Sequence, residues 1–276
     1  MAKFSVFKRL PSEEQRESWK RDGFIVLRGL FSKRQTRAMR DLIDNAWESR
    51  VKADNPLVAD IFLDRNGQRV LFKDAPEHAR DHVYKLNDMY LENALVRDMA
   101  LDNSLVRVLN NLVSGTVCIC NSLIFERGSQ QGLHVDTFYM PPPANGELIV
   151  SSICLEDVNE SAGPVNYVPG SHTLAPYYNA DGDRAVRTPE EQAQATHHLN
   201  GVLAEHGRPT EHFLGREGDV LIWHEQLVHG GSLIANPALT RKSLVTHYWR
   251  SEEISADQKI KWNNGHYLNR SHQSVA

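Results

Sequence analysis

The feature that most constrains this chain is a change of hydrophobic rhythm at Gly115. Before it, apolar residues recur at helical spacing. After it, they gather in short runs separated by Gly, Pro and Asn. A helix repeats its faces about every 3.6 residues and a strand about every two, so the switch marks a change from helical to sheet structure. Ser12 with Gln15 and Ser32 with Gln35 have the spacing of capping boxes, which predicts helices opening at 13 and 33, the first stopped by Gly23. Between them, residues 23–30 read as a strand. In the second helix Met39, Leu42, Ile43, Ala46 and Trp47 share one face, which should bury. Residues 52–82, rich in Asp, Asn, Pro and Gly, read as loop with short elements. A further helical stretch covers 92–113, broken near Asp102 and ended by Gly115.

Strands are predicted at 117–125, 133–140, 147–155, 163–168, 219–223 and 241–249. Short, evenly punctuated strands are the pattern of a sandwich or jelly roll. One long polar segment, 175–216, interrupts it and carries its own short helix opened by Thr188, Pro189 and Glu191. Such an insertion serves either as a lid or as a surface excursion. The organisation expected is one domain over 1–276, with helical support to about 115, a barrel core over 116–250 and the insertion within it. All-β barrels of this length often form single domains.

Composition excludes several partners. The net charge is −4 and no block of like charge stands out, so neither nucleic acid nor an anionic membrane is expected. No run approaches the roughly 18 apolar residues of a membrane span. Residues 1–10 lack a long apolar stretch and a small-residue cleavage site, so no signal peptide is predicted. Three cysteines, Cys118, Cys120 and Cys154, form no disulfide-like framework, which fits a reducing cytoplasm. Cys118 and Cys120 alternate along one strand and read as small packing residues rather than a metal or redox pair.

The chemistry lies in three residues. In His134-Val135-Asp136, positions i and i+2 of a strand point to one side, so an imidazole and a carboxylate converge on one point. His-x-Asp alone is a weak signal. His229, followed by Gly230 and Gly231 and preceded by the apolar run Val220-Leu221-Ile222-Trp223, adds a third ligand. Two histidines and one carboxylate form the facial triad of non-haem Fe(II) oxygenases, which leaves positions open for a bidentate 2-oxo acid and O₂. Arg241, at the start of a strand, can pair bidentately with a distal carboxylate. A zinc or manganese barrel enzyme, or a barrel that binds without turnover, would need no such anchor. Tyr139 faces either substrate or core. His172 reads as part of a turn, and His197, His198, His206 and His212 in the insertion read as solvent-facing.

At these positions the chain resembles the phytanoyl-CoA dioxygenase family. The resemblance rests on Asp22-Gly23-Phe24-Ile25-Val26-Leu27-Arg28-Gly29, His134-Val135-Asp136, Leu155-Glu156-Asp157-Val158 and Gly163-Pro164-Val165. It continues through Val168-Pro169-Gly170-Ser171-His172, Gly218-Asp219-Val220-Leu221, His229-Gly230-Gly231-Ser232 and Arg241-Lys242. It spans about residues 20–250. It implies a mainly β double-stranded β-helix, a cupin-like jelly-roll barrel flanked by α-helices. It implies Fe(II) on His134, Asp136 and His229, and 2-oxoglutarate anchored by Arg241 with help from Ser232. It also points to Lys85 as a cosubstrate ligand, and Asn121 is a candidate to reach the cosubstrate from the strand before His134. The reaction implied consumes O₂ and 2-oxoglutarate, releases succinate and CO₂, and oxidises a small-molecule substrate, by hydroxylation or by desaturation, cyclisation or epimerisation. Asp136 stands where halogenating relatives place chloride, which argues against halogenation.

Overall fold

The computed structural model describes residues 11–52, 54–63, 67–143 and 147–275. The leader reading of residues 1–10 lies outside them. Helix α1 (Glu13–Asp22) starts at a complete capping box of Ser12 and Gln15 and stops at Gly23, whose φ of 81° suits glycine. Strand β1 (Phe24–Leu27) follows. Helix α2 (Lys33–Glu48) is capped in the same way by Ser32 and Gln35, and it buries Met39, Ile43, Ala46 and Trp47 as the periodicity requires. The helical stretch expected over 92–113 is two helices, α3 (Ala94–Ala100) and α4 (Asn103–Leu112). The break falls where Asp102 caps α4.

Residues 52–87 hold more sheet than their composition suggests. Strands β2 (Val58–Phe62), β3 (Gln68–Leu71) and β4 (Val83–Asn87) form an antiparallel extension of the main sheet. Their polar residues have partners across the sheet. Asp60 lies opposite Lys85 and Arg69, so the charges that suggested loop are cross-strand pairs.

The main sheet then takes β5 (Val117–Phe125), β6 (Leu148–Cys154), β9 (Val220–His224) and β11 (Ser243–Arg250) in the order β1-β9-β6-β11-β5-β4-β2-β3. A second sheet is built from β7 (Val165–Tyr167), β8 (Glu211–His212) and β10 (His229–Gly231), ordered β10-β7-β8. A terminal hairpin, β12 (Lys259–Trp262) and β13 (Gly265–Leu268), joins β5 in parallel. Neither strand of that hairpin was expected from the sequence.

The two faces of the main sheet bury different things. One face packs on α2, α3 and α4 through Val117, Ile119, Ile149, Ile222, Leu244 and Tyr248. The other packs on the small sheet, where Phe125, Val150 and Val245 meet Val165, Tyr167 and Phe213. A bulge in β5 sorts its side chains between them. Across from β11, Asn121 pairs with His247 but Ile119 pairs with Tyr248, which leaves Cys120 as the extra residue. Val117 and Ile119 therefore face the helices, while Leu123 and Phe125 face inward.

The insertion is dominated by α5 (Pro189–His206), an 18-residue helix rather than a short one, opened by a capping box of Thr188 and Glu191. Its Ala195 and Leu199 pack on Val135, Phe138, Val168 and Val228. No helix among the described residues is long and apolar enough to cross a membrane.

Candidate functional site

The site is assembled where β10 meets the segment leading into residue 134. His134 and His229 exchange both backbone hydrogen bonds, at 2.9 and 3.0 Å. This pairing sets the two imidazoles side by side, with ring centres 4.4 Å apart. The glycines after His229 let the two chains close. A Cβ on Gly231 would lie 2.3 Å from Ser129 Oγ and 2.7 Å from the Gln130 nitrogen, and one on Gly230 would lie 2.8 Å from the Gln131 carbonyl.

The strand expected over 133–140 does not form. Pairing ends with the His134 bridge, and a 3-10 turn runs from Asp136 to Phe138, with the Asp136 N–H donating to the Glu225 carbonyl at 3.2 Å. The reason lies behind the site. Val135 and Phe138, three residues apart, both bury against α5. That spacing suits a turn and not a strand, whose faces alternate. Val135 itself is extended, at φ −119° and ψ 147°, so the i, i+2 convergence of His134 and Asp136 survives. The ligand atoms of His134, Asp136 and His229 all lie within 4.8 Å of one another, and all three residues are buried.

Each of the three is oriented by a hydrogen bond at its far atom. His134 Nδ1 lies 2.8 Å from the Gly132 carbonyl, and His229 Nδ1 lies 2.9 Å from the Leu227 carbonyl. A carbonyl accepts, so Nδ1 carries the proton and Nε2 is left with a lone pair. Trp223 Nε1 donates to Asp136 Oδ2 at 2.7 Å, which leaves Oδ1 toward His229 Nε2 at 3.6 Å. Burial, with the neighbouring His229, pushes the His134 pKa down to about 3, so the ring is neutral. Burial alone would raise the Asp136 carboxyl, but His229 and the hydrogen bond from His247 outweigh it and hold the group below its usual range. Two imidazoles that present Nε2 and an ionised carboxylate are the donor set a ferrous ion takes.

His247 is the residue that sequence reasoning missed. Its Nε2 lies 3.2 Å from Asp136 Oδ1, and it stands opposite Asn121 in the sheet. Alternation from Ser243 through Val245 along β11 was the signal available, since it aims His247 inward.

The triad stands at the junction of two cavities. The inner one runs past His229, Trp223 and Val245 to Arg241. Arg241 is 4% exposed, its guanidinium lies 5.8 Å over the Phe125 ring, and its Nε has no hydrogen-bond partner. Burial lowers its pKa to about 10, which leaves it charged at neutral pH. A buried guanidinium with a free Nε, lining the same cavity as the triad, fits the distal carboxylate of a 2-oxo acid. The hydroxyl lining this cavity is that of Ser129, whereas Ser232 accepts from Asn166 Nδ2 at 3.2 Å outside the lining.

The outer cavity, about 340 Å³, shares His134, Asp136 and His247 with the inner one and opens past Lys85, Asn121 and Tyr139. Lys85 and Asn121 therefore sit on this side and not at the Arg241 end. Tyr139 is 47% exposed, with its ring edge-on to His134 at 5.5 Å. None of the remaining histidines singled out earlier, His172, His197, His198, His206 and His212, lines either cavity. His172 is bonded to the Lys20 carbonyl, as befits a turn residue. The three cysteines are buried and free.

A jelly roll with this triad and a buried arginine is the architecture of the non-haem iron, 2-oxoglutarate-dependent oxygenases. The profile of the phytanoyl-CoA dioxygenase (PhyH) family matches residues 19–243, and the chain belongs to that family. It is an oxidoreductase whose cofactors are iron and 2-oxoglutarate, with O₂ as co-reactant. No curated protein matches the sequence. Among solved structures, the chain is similar to the non-haem alpha-ketoglutarate-dependent carbocyclase SnoK from nogalamycin biosynthesis. Identity is 17% and the TM-score 0.66, covering 92% of this chain and 87% of that one. It is similar to EctD from S. alaskensis with 2-oxoglutarate and 5-hydroxyectoine, at 17% identity and TM-score 0.61, covering 99% and 89%. It is also similar to the epimerase SnoN in complex with Fe³⁺, alpha-ketoglutarate and nogalamycin RO, at 15% identity and TM-score 0.62, covering 96% and 95%. At these identities the likeness is one of fold.

Proposed function

We propose that the protein hydroxylates a C–H bond of a small organic substrate while 2-oxoglutarate is converted to succinate and CO₂. In this reading His134 Nε2, His229 Nε2 and Asp136 Oδ1 hold the ferrous ion, and Arg241 pairs with the tail carboxylate of the cosubstrate. The observation that carries the reading is the junction itself. His134 and Asp136 line two cavities and His229 the inner one, which ends on a charged arginine with a free Nε, while the outer one is open to a substrate. The bound iron and 2-oxo acid supply the power to activate O₂. The chain's own residues do the rest. The Gly132 and Leu227 carbonyls fix the histidine tautomers, and Trp223 and His247 fix the carboxylate. Leu123, Phe125 and Val245 keep the inner cavity apolar, which strengthens the Arg241 pair.

The test is to titrate 2-oxoglutarate into the anaerobic Fe(II) protein and follow the metal-to-ligand charge-transfer absorbance. Oxygen is then admitted with ascorbate and succinate is measured. A protein that gives neither band nor succinate is not such an oxygenase. Product mass identifies the outcome. A gain of one oxygen supports hydroxylation. An unchanged mass or a loss of hydrogen would point instead to reactions of the kind named for SnoN and SnoK.

A further inference from the structure

The outer cavity is lined asymmetrically. The sheet contributes Arg69 from β3, Lys85 and Asn87 from β4, and Asn121 and Leu123 from β5, while Met140 and Val186 come from outside the sheet and add to the apolar part of the lining. Beside the polar residues of the sheet Asp60 is 7% exposed and serves two cations. Arg69 holds it bidentately, Nε to Oδ1 at 2.7 Å and Nη2 to Oδ2 at 2.9 Å, while Lys85 Nζ stands off at 3.4 Å. The Arg69 fork is thereby used, and its Nη1 donates to Gln273. The other carboxylate nearby, Asp88, is matched by Arg270 at 2.7 Å. This side of the cavity is left with one positive charge more than its acids neutralise, and it resides on Lys85. An ammonium has three donors, and this one has one acidic partner among the described residues, Asp60 at 3.4 Å, besides the Phe62 ring whose centroid lies 5.9 Å away.

The amides beside it are also incomplete. Asn121 Nδ2 donates to Asp88 Oδ1 at 3.0 Å, which fixes the flip and leaves Oδ1 without a partner although the residue is 4% exposed. Asn87 is 1% exposed, and its Nδ2 makes no well-formed hydrogen bond but faces Asp60, which it helps keep ionised. Buried polar groups are rarely left unpaired, and those that line a cavity mark where a ligand completes the bonding.

We infer that the outer cavity is a binding site for a small substrate bearing an oxyanion, a carboxylate or a phosphate, which Lys85 pairs with, and a hydroxyl or amine that donates to Asn121 Oδ1. The inference rests on the oxygenase reading and adds the substrate class to it. The aliphatic part of such a molecule lies along Leu123, Met140 and Val186. The volume, about 340 Å³, is near the lower limit for small-molecule pockets. It encloses a short acid and not a whole coenzyme A thioester.

The test uses protein loaded with Fe(II) and 2-oxoglutarate without oxygen. The probes are short ω-hydroxy acids, their primary amides and the matching phosphate monoesters, each titrated by the change it makes in the charge-transfer band. The expected result is that one anionic series binds about tenfold or more tighter than the amides. Whether the acids or the phosphates lead identifies the oxyanion. Lys85→Gln should erase the preference, Lys85→Arg should keep most of it, and the 2-oxoglutarate titration should be unchanged in both. Amides that bind as tightly as the anions, or a set in which nothing binds, overturn the inference. So does a Lys85→Gln protein that loses affinity for 2-oxoglutarate itself, since Lys85 would then belong to the cosubstrate. If wild type never forms the band, the oxygenase reading falls first. A band that forms without anion preference removes this inference alone.

Discussion

The two cavities that meet at the triad are built on opposite principles. The inner one is mostly apolar and ends on one buried guanidinium whose Nε has no hydrogen-bond partner among the described residues. The outer one is wider and more polar, and most of its charges are already paired within the protein. A cavity that always receives the same dianion can keep a single strong anchor. A cavity that must choose among molecules needs several weaker contacts, because discrimination is a difference of affinities. The inner cavity thus reads as a socket and the outer one as a filter.

The sharpest way to break this contrast is at the shared boundary. His134→Ala or His229→Ala should abolish Fe(II)-dependent succinate formation, and Asp136→Glu should fail as well because the added methylene moves the carboxylate. Near-normal turnover in either histidine variant would remove that residue from the ligand set. Circular dichroism should show the fold retained.

A smaller effect is expected at the inner end. Arg241→Ala removes one partner of a buried pair, a loss of about 2–5 kcal/mol, which is about 30-fold or more in 2-oxoglutarate affinity. Arg241→Lys should recover part of it, since an ammonium lacks the planar fork. The anaerobic titration measures both, and iron affinity without cosubstrate should not change. If Arg241→Ala binds 2-oxoglutarate as wild type does, the socket is anchored elsewhere.

Smaller again is Trp223→Phe, which deletes the donor to Asp136 Oδ2 and keeps most of the ring. Partners of metal ligands are typically worth about 10–100-fold in metal affinity, and the low end is expected because His247 still holds the carboxylate. Fe(II) affinity measured by competition with a chelator would show it, and an unchanged value would mean that Trp223 only packs.

The mildest prediction concerns the outer side. We propose that residues 175–216 act as a lid. Helix α5 buries Ala195 and Leu199 alone, while Val186 reaches the cavity and Arg184 pairs with Glu225 at 2.5 Å. Hydrogen exchange there should be faster than in β5, β6 and β11, and should slow when cosubstrate and substrate bind. Uniform protection without change would assign the segment to the rigid scaffold.

The sequence disclosed what depends on local spacing. Three capping boxes, the stop at Gly23 and the break at Asp102 are all where the residues place them. So is the convergence of His134, Asp136 and His229. What it concealed depends on partners far along the chain. Val58 to Phe62 becomes a strand because Val83 to Asn87 lies beside it, and its Asp60 is tolerated there because Arg69 and Lys85 flank it. The strand expected through Asp136 gave way to a turn because α5, more than fifty residues on, covers Val135 and Phe138. Lys85 was read for its likeness to a cosubstrate ligand, and which cavity it enters could not be read without the sheet.

The bulge at Cys120 has a consequence for anyone comparing this chain with its relatives. Along a strand, the identity of a face is a matter of odd and even counting, and one extra residue exchanges the two. A regular ladder with Cys120 paired instead of bulged would hand the positions of Asn121, Leu123 and Phe125 to the helical layer and turn Ser122 and Ile124 toward the triad. An alignment at 17% identity that slides by one place here would still look plausible residue by residue. It would also assign the substrate wall of one enzyme to the hydrophobic core of the other.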